Sequence, residues 1–537
     1  MKTTLKLLMI VLAVGAAQES NAVFFDWAHY YDGGSIDRGL HVQTDVFANV
    51  YFTGVAALPG GSKIISSAYN DGGTLLWQRT ANTFLPGTVV QTERDASLNT
   101  FVLCQISLTS YTLIRYNVNA IEKWRKTFSG SVMKFKVGGP AAVFISGLTS
   151  TSEVIRRLNK NTGVTVWTRT YADASLILSA SRSDFTIDAN SNVYFCGTSD
   201  MGGPDDYDYR MIKLNKNGVL IYNLLHDGGS GEDEEAFKIA ANNLGELYVV
   251  GDYDCNIPVR DFVSMVKFNA AGVHQWHTQF ATSGTSSRYD AMDVMIGPDG
   301  NPVGVGSIRD FYNVNPAGET ARIKVSKFNS ATGAVLFDVT PDDASYSNPD
   351  LIEEALCMTI DATNNVYIGG TSNVYAGVTI QPYRWLALKV IGSTGNREWV
   401  EAGVGDSDPL NKMEDVAVTS VNDSYWAGAE NFAGNVNMWL TKYCEVGCFS
   451  PRIGTSLNAD NSIVVYPNPS ASSFTMSNEG KNVAFTLSVY DIAGKLVEEH
   501  NSLETTVQFG ENLSAGTYIV RYLSATENKS IRIVKTQ

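Results

Sequence analysis

Residues 361–370, DATNNVYIGG, and residues 386–399, LALKVIGSTGNREW, decide the fold of this chain. The first piece is a turn followed by an alternating apolar strand; the second is a strand, a tight turn and a strand that ends in an aromatic residue. The chain repeats this pattern about eight times, for instance with the strands NVYFTG at 49–54 and NVYFCG at 192–197. Such a repeat predicts successive antiparallel strand units.

Each repeat ends in an aromatic residue that follows a turn rich in Asn and Gly. Asn and Gly supply the positive φ angles of a tight hairpin, and the aromatic then fills a fixed packing position. The intervals between the aromatics accommodate four strands and their turns, which is the size of a β-propeller blade. These aromatics are Trp77, Trp124, Trp167, Tyr222, Trp276, Phe337 and Trp399.

The eighth repeat stops at residues 437–446, NMWLTKYCEV, without an aromatic final strand. Residues 24–31, FFDWAHYY, place Trp27 in the matching sequence context, so an N-terminal strand would close the ring and remove its open edges. We therefore predict an all-β chain in which residues 23–445 form an eight-bladed β-propeller. Seven blades or two smaller propellers are the alternatives.

Residues 1–22 have the pattern of a signal peptide. Lys2 and Lys6 precede an apolar run, and the small residues Ser20 and Ala22 stand before a cleavage point at Val23. Ala17 offers a second cleavage point, and a buried N-terminal helix is the structural alternative. We expect export through the periplasm to the outer cell surface or beyond.

The formal net charge of −15 argues against nucleic acid or an anionic membrane surface as the main partner, because phosphates would be repelled. No internal run approaches the roughly 20 apolar residues that a membrane span needs. We predict no nucleic-acid partner and no membrane span.

The repeat pattern ends before residue 446, and a new unit follows. Residues 446–460 are predicted to be a linker, and residues 461–537 carry short alternating strands with frequent turn signals, typical of a small Ig-like antiparallel β-sandwich. An ordinary accessory sandwich is one interpretation of this segment.

Residues 461–537 closely resemble the C-terminal (type A) sorting domain of type IX secretion cargo in Bacteroidetes-type bacteria. The resemblance implies recognition by the type IX secretion machinery, passage across the outer membrane, and commonly removal of the domain with surface anchoring. It is carried by Tyr466, Pro467, Asn468, Pro469, Asp491, Gly494, Gly516, Tyr518 and Lys535.

The repeats themselves resemble known propeller families. The D-x-x-x-N-V-Y-x-x-G pattern is similar to the bacterial repeats called SBBP over residues 24–445, with degenerate second and third copies. The N-x-x-T-G-x-x-x-W pieces are also similar to quinoprotein propellers, eight-bladed dehydrogenases that bind a quinone and calcium, often beneath a disulfide of adjacent cysteines. No adjacent cysteine pair occurs in this sequence, so we predict no cofactor and keep a quinoprotein-like dehydrogenase as a remote alternative.

The cysteines and acidic loops give no strong metal motif. Cys444 and Cys448 are predicted to form a disulfide in an oxidising exterior, and zinc would need further nearby ligands. Asp205, Asp206 and Asp208 alternate in a loop and suit calcium, but a solvated acidic loop is the favoured interpretation. We predict no metal.

The long connections between strands share one face of the predicted propeller and carry aromatic and acidic residues suited to recognition. We predict a non-catalytic binding or adhesion module for a glycan or a protein. A polysaccharide-active enzyme that uses acids on this face is the alternative, and a purely structural surface protein is a third.

Five carboxylates stand just before the first strand of repeats 1, 5, 6, 7 and 8, and that strand is the one nearest the predicted axis. If they gather at the mouth of the channel, they would favour a cation or a basic or hydroxyl-rich ligand. Hydrogen bonds to the backbone of their own or the neighbouring repeat are the structural alternative. The five are Asp37, Glu235, Asp290, Glu354 and Asp415.

Overall fold

The alternating segments form β-strands, and no described residue lies in a helix. The chain divides into two compact units, one holding most of the residues before 447 and the other holding residues 447–537 together with 44–50 and 68–76, and each is described by itself. Among the described residues there is no helical segment with the length and hydrophobicity that a membrane span requires. This computed structural model describes residues 23–32, 36–139, 141–149, 152–172, 176–177, 183–202, 207–227, 234–254, 261–280, 287–311, 319–341, 351–376, 379–380, 383–403, 411–419, 423–432, 435–445, 464–466, 470, 472–478, 484–491, 495–524 and 528–536.

Before residue 446 the strands pair in chain order into antiparallel groups that we name sheets 1 to 8. The first strand, β1 (Phe24–Tyr31), belongs to sheet 8. Sheet 1 contains β2 (Arg38–Thr44), β3 (Val50–Leu58), β4 (Gly61–Tyr69) and β5 (Leu75–Thr80); sheet 2 contains β6 (Thr88–Arg94), β7 (Thr100–Ser107), β8 (Ser110–Tyr116) and β9 (Glu122–Ser129); sheet 3 contains β10 (Ser131–Gly138), β11 (Ala142–Thr149), β12 (Ser152–Asn159) and β13 (Thr165–Ala172); sheet 4 contains β14 (Leu176–Ile177), β15 (Ser183–Ile187), β16 (Val193–Asp200), β17 (Tyr207–Leu214) and β18 (Leu220–His226).

The later sheets repeat this order. Sheet 5 contains β19 (Glu234–Ala241), β20 (Leu247–Asp254), β21 (Asp261–Phe268) and β22 (His274–Phe280); sheet 6 contains β23 (Ser287–Ile296), β24 (Pro302–Phe311), β25 (Glu319–Phe328) and β26 (Val335–Val339); sheet 7 contains β27 (Leu351–Ile360), β28 (Val366–Ala376), β29 (Thr379–Ile380), β30 (Arg384–Val390) and β31 (Arg397–Ala402); sheet 8 contains β32 (Lys412–Val418), β33 (Ser424–Phe432), β34 (Asn435–Cys444) and β1. A single parallel bridge between Ala321 and Ile352 connects sheets 6 and 7.

The N-terminal strand pairs antiparallel with the last strand of the repeats. The register runs from Phe24 opposite Cys444 to Tyr31 opposite Met438, with a bulge between Phe25 and Trp27. Sheet 8 therefore takes its outermost strand from the opposite end of the repeat region.

In both kinds of turn, one residue supplies the side-chain hydrogen bonds and a different residue supplies the positive φ angle. In the first turn type, Asp361 Oδ1 accepts hydrogen bonds from the backbone N–H groups of Thr363 and Asn365, both at 2.8 Å, while Asn364 adopts a φ of 71°. In the second type, Asn215 Oδ1 accepts hydrogen bonds from the backbone N–H groups two and four residues later, and Gly218 supplies the positive φ of 76°. The leading Asp or Asn thus acts through its side chain as an Asx turn, and a later residue takes the left-handed conformation.

The repeated aromatics lie in the outermost strand of their sheets, as the repeat pattern predicts. The indole N–H of Trp124 donates to Lys160 O at 3.0 Å, that of Trp167 to Lys216 O at 3.2 Å, and that of Trp276 to Ser330 O at 3.1 Å. Each acceptor lies in the turn of the following sheet. A Cβ on Gly218 would stand only 2.8 Å from the Trp167 ring, so the turn glycine also permits close contact between neighbouring sheets.

The hydrophobic core lies between adjacent sheets. Phe101 and Leu103 of sheet 2, for example, pack in one cluster with Phe135, Val143 and Ile145 of sheet 3. The cysteines follow this pattern: Cys104, Cys196 and Cys357 are buried free thiols. Cys444 is disulfide-bonded, whereas its predicted partner Cys448 lies outside the described residues.

The C-terminal unit is a small sandwich of two antiparallel sheets. Phe474, Met476, Leu487 and Val520 are among the residues of its single core. One sheet has the order β35 (Val464–Tyr466), β36 (Phe474–Ser477) and β39 (Thr506–Phe509), and the other has β38 (Leu496–Ser502), β37 (Phe485–Asp491), β40 (Gly516–Ser524) and β41 (Asn528–Lys535).

A buried carboxyl in sheet 3 makes stability depend on pH. Glu153 is fully buried; it accepts a hydrogen bond from Ser146 Oγ at 2.5 Å, and its Oε2 has no hydrogen-bond partner among the described residues. Burial raises the pKa of Glu153 to about 8, although Ser146, Lys134 and Arg156 act in the opposite direction. In the unfolded chain a glutamate releases its proton near pH ~4.3. The folded state therefore binds the extra proton between these values, and stability falls as pH rises through this window.

The change Glu153→Gln is expected to remove this loss, because the amide stays neutral. The free energy of unfolding of the variant should exceed that of the wild type by about 2–4 kcal/mol at pH 8 and by much less at pH 5. Urea unfolding at the two pH values measures the difference, with the exposed Glu504→Gln as control. Equal pH slopes for wild type and Glu153→Gln would contradict the assignment.

Candidate functional site

The first strands of seven sheets each place a residue at an equivalent position in the strand register. In six sheets the first strand carries a bulge, for example between Ala236 and Lys238 and between Ala291 and Asp293. A bulge bends the strand and re-aims the side chains that follow it. The equivalent residues each pair with the residue before the terminal Gly or Cys of the second-strand motif: Gln91, Lys134, Asp184, Lys238, Asp293, Cys357 and Asp415.

The first strands of sheets 2 to 7 surround a cavity of about 840 Å³. Its size falls within the range of ligand pockets, which is ~300–1,000 Å³. Apolar residues such as Phe135, Phe185 and Ile239 form part of the wall. The charged residues of the wall are Lys134, Lys136, Lys238, Asp184 and Asp293.

We call the cavity between the first strands of sheets 2 to 7 the central cavity. Its charged side chains neutralise one another. Lys134 Nζ lies 3.0 Å from Asp184 Oδ1 and also donates to Ser183 O at 2.6 Å, and Lys136 Nζ lies 3.6 Å from Glu93 Oε1. Burial works to raise the pKa of Asp184, but the cations of Lys134 and Lys238 lower it overall. Burial dominates at Asp293, whose pKa is raised. The carboxylate of Glu93 raises the pKa of Lys136, so this amine stays charged at neutral pH.

Some residues at this register position also form hydrogen bonds between neighbouring sheets. Gln91 accepts a hydrogen bond from Phe135 N at 3.0 Å, and Asp415 Oδ2 accepts one from Val42 N at 3.0 Å. Asp415 Oδ2 also lies 2.7 Å from His41 Nδ1. The same side-chain position thus serves inter-sheet hydrogen bonding at Asp415, the cavity wall at Lys238, and both at Gln91.

The five predicted carboxylates do not share one position in the strand register. Glu235, Asp290 and Glu354 each pair with the residue after the motif glycine, whereas Asp415 pairs with the residue before it. Asp37 immediately precedes β2. Arg38, the next residue, is equivalent to Glu235: its carbonyl oxygen lies against Gly54 in the same way that the carbonyl oxygen of Glu235 lies against Gly251.

Among the described cavity-wall residues, none is one of these five carboxylates. Asp37 is fully buried and accepts a hydrogen bond from Ala57 N at 2.8 Å, and Asp415 bonds to sheet 1. These two follow the structural alternative. The side chain of Asp290 lies outside the described residues, and Glu235 and Glu354 are half-buried. Ligand binding by the five carboxylates stays a prediction.

The residues predicted from the sequence do not include Lys134, Asp184, Lys238 and Asp293. A signal was present, because each pairs with the residue before the motif glycine at the end of the second strand. Counting back from that glycine rather than forward from the strand start would have aligned them, since the bulge changes the count in some sheets and not in sheet 4.

One acidic cluster has the spacing of cation ligands. Carboxylate oxygens of Asp208, Asp227 and Glu234 all lie within 4.8 Å of one another, where β17 begins, β18 ends and β19 begins. Asp208 belonged to the acidic loop considered for calcium, while Asp205 and Asp206 lie outside the described residues. Oxygen ligands of this kind suit calcium, and exposed acidic groups are also common without an ion.

The described residues of the predicted sorting motif have structural roles in the sandwich. Lys535 is buried, and its ammonium donates to the backbone carbonyls of Ser472, Gly510 and Glu511, the second at 2.8 Å. Tyr518 Oη donates to Ser514 O at 2.9 Å, and Asp491 Oδ1 accepts a hydrogen bond from Lys495 N at 3.0 Å. Gly516 begins β40 and Tyr466 ends β35, whereas Pro467, Asn468, Pro469 and Gly494 lie outside the described residues.

Solved structures with a similar fold include propellers of low sequence identity. The Dos1 propeller is 6% identical, with a TM-score of 0.45 over 78% of this chain and 95% of that chain. Sqt1 from Chaetomium thermophilum is 9% identical, with a TM-score of 0.43 over 79% and 100%. The β-propeller domain of the Trilobed protease from Pyrococcus furiosus is 6% identical, with a TM-score of 0.39 over 72% and 100%. No curated protein matches the chain.

The C-terminal unit matches a known family. Residues 464–536 match the family described as the secretion system C-terminal sorting domain. The match covers the sandwich from β35 through β41. The described chain is thus an all-β protein built mainly of four-stranded antiparallel sheets, and its residues 464–536 match the secretion system C-terminal sorting domain family.

Proposed function

We propose that this protein is cargo of the type IX secretion system whose propeller binds a glycan or a protein at the cell surface without catalysing a reaction. The match of residues 464–536 to the sorting domain carries the proposal. A signal peptide at residues 1–22, passage through the periplasm and a Bacteroidetes-type source belong to the same proposal.

The exported part is proposed to be an eight-bladed propeller of SBBP-like repeats, closed by β1. Three contacts support a closed ring. β1 pairs with β34, Asp37 N donates to Val436 O at 2.9 Å, and Arg38 Nη2 lies 2.6 Å from Glu414 Oε1. The last two connect the start of sheet 1 with sheet 8, as a closing seam requires.

The central cavity supports a binding role. Lys134 and Asp184 form an ion pair in the cavity wall, with Nζ 3.0 Å from Oδ1. Paired charges of both signs offer hydrogen-bond donors and acceptors side by side, which suits a hydroxyl-rich ligand. Apolar residues such as Phe185 supply the complementary hydrophobic surface.

A polysaccharide-active enzyme is the second candidate, and one observation favours it. The same cavity holds one carboxyl with a lowered pKa, Asp184, and one with a raised pKa, Asp293. Carboxyls whose pKa values are pushed apart can divide the roles of general acid and base.

A glycan array and a hydrolysis screen on the purified full-length protein separate the two candidates. We expect glycan binding without release of reducing sugar, and a loss of affinity of about 10–100-fold for Asp184→Asn because a charged hydrogen-bonding group is removed. The exposed Asp200→Asn serves as the matched control. Release of reducing sugar that Asp293→Asn abolishes would establish the enzyme instead.

A further inference from the structure

A second pocket, separate from the central cavity, lies where sheet 7 meets sheet 8. It has a volume of about 300 Å³. Trp385 and Glu401 come from β30 and β31 of sheet 7, and Trp439 and Tyr443 come from β34 of sheet 8. Tyr30 of the N-terminal strand completes the wall. We call this site the aromatic pocket.

The wall of the aromatic pocket is a connected set of rings. The centroids of Trp385 and Trp439 lie 4.6 Å apart at an angle of 43°, and Tyr30 stacks on Trp439 at 6.3 Å and 19°. Phe25 meets Tyr443 edge to face at 6.1 Å. Phe25 and Tyr30 are 55% and 51% exposed, so two of these rings border the opening while Trp439 is buried.

The charge on this wall is entirely negative. Glu430 accepts hydrogen bonds from Trp385 Nε1 at 3.1 Å and from Tyr30 Oη at 2.9 Å, which fixes its carboxylate beside the rings. Burial together with the charge of Glu430 raises the pKa of Tyr30, and burial together with Glu401 and Glu430 raises that of Tyr443. None of the described residues that line this pocket is basic.

Aromatic faces and carboxylates together select one kind of ligand. The face of an aromatic ring is electrically negative and attracts a cation placed over it, and a carboxylate within reach adds to the attraction. Anionic ligands are repelled by Glu401 and Glu430. A neutral sugar could stack on the rings but would gain nothing from the negative potential.

We propose that the aromatic pocket binds an alkylammonium group, either a small amine or a lysine side chain of a partner protein. The volume accommodates a short alkyl chain that carries one charged head. The inference rests on the proposed binding role of the exported part and names a ligand class for it, at a site distinct from the central cavity.

Calorimetric titration of the purified full-length protein tests the proposal. The probes are n-butylammonium, n-butyltrimethylammonium, the neutral n-butanol and glucose. We expect both cations to bind with a stoichiometry of about one, and butanol and glucose to bind at least about tenfold more weakly, since the charge supplies most of the attraction. Affinity for the cations should fall as salt rises.

Variants locate the binding. Glu430→Gln should weaken cation binding by about tenfold, and Glu401→Gln, in β31 of sheet 7, by about fivefold. Phe84→Ala removes a similarly exposed ring elsewhere and should change nothing. If Glu430→Gln disturbs folding, as circular dichroism would show, Glu401→Gln still decides. Equal binding of butanol or glucose, undiminished binding by both Glu variants, or no cation binding would overturn the proposal.

Further probes separate the sources of the ammonium group. A lysine-containing peptide that binds at least about tenfold tighter than n-butylammonium indicates a protein partner, since a partner adds contacts outside the pocket. Equal affinities indicate a small amine, and both outcomes support the alkylammonium assignment. Glycan binding that persists while the cations fail to bind would overturn this inference alone. Cation binding without any glycan or protein partner on an array would support the aromatic-pocket proposal and contradict the binding role proposed for the central cavity.

Discussion

Deletion of residues 461–537 is expected to leave the protein in the periplasm and to reduce its surface signal to background. The deleted segment contains the whole stretch that matches the sorting-domain family, residues 464–536. Cell fractionation and protease treatment of intact cells, in a host with a type IX system, measure the distribution. Normal surface delivery of the truncated chain would contradict the assignment of this domain.

A point variant tests whether surface delivery requires the folded sandwich and not only the presence of its residues. Lys535→Met leaves the backbone carbonyls of Ser472, Gly510 and Glu511 without their shared donor in a buried site. We expect it to reduce surface delivery nearly as much as the deletion. The exposed Glu504→Gln, in the same sandwich, should be delivered normally.

Lys389→Met is expected to destabilise the N-terminal unit by about 3–5 kcal/mol, the usual cost of breaking a buried ion pair from one side. The side chains of Lys389 and Glu445 are 2% and 4% exposed, and the two form an ion pair between sheets 7 and 8. Glu445 Oε1 also accepts hydrogen bonds from Tyr367 Oη and Trp399 Nε1, both at 3.0 Å. Without the lysine, a buried carboxylate keeps its neutral donors but loses its compensating charge.

Urea unfolding of Lys389→Met, followed by tryptophan fluorescence, measures this loss. The exposed Lys123→Met is the matched control and should stay within about 0.5 kcal/mol of the wild type. The double variant Lys389→Met with Glu445→Gln should recover part of the loss, because the carboxyl group of Glu445 then carries no charge, while Glu398, which lies 2.8 Å from Lys389 Nζ, still loses its cation. A single variant as stable as the control would show that the pair contributes nothing.

The strands and turns could be predicted from sequence because their signals are local. Turns such as Asp361–Asn365 and Asn215–Val219 contain both the capping side chain and the residue with positive φ within five positions, so a reader of the sequence sees the whole turn at once. The outermost-strand aromatics recur for the same reason. In turns of the second type the positive φ belongs to Gly, as at Gly218, and not to the leading Asn, whereas Asn364 in a turn of the first type does adopt it.

The sites could not be predicted because they are not local. A one-residue bulge in most first strands shifts the side chains that reach the central cavity. Lys134 follows such a bulge and Asp184 does not, so counting from the strand starts does not align them. The aromatic pocket joins Tyr30 to Glu430, which are 400 positions apart. No spacing rule links such residues before the sheets are assembled.

The pairing of β1 with β34 also sets an order of events in folding. Thr441 Oγ1 donates to Trp27 O across a sequence separation of 414 residues, whereas most other strand pairs join neighbours in the chain. Closing a flexible loop of that length costs roughly 5 kcal/mol of chain entropy, a cost that falls when the intervening sheets are already folded. Sheet 8 should therefore complete last. During synthesis and export, the earliest strand to emerge waits as an unpaired edge until nearly the whole repeat region has followed it, and in this interval the protein is most exposed to aggregation.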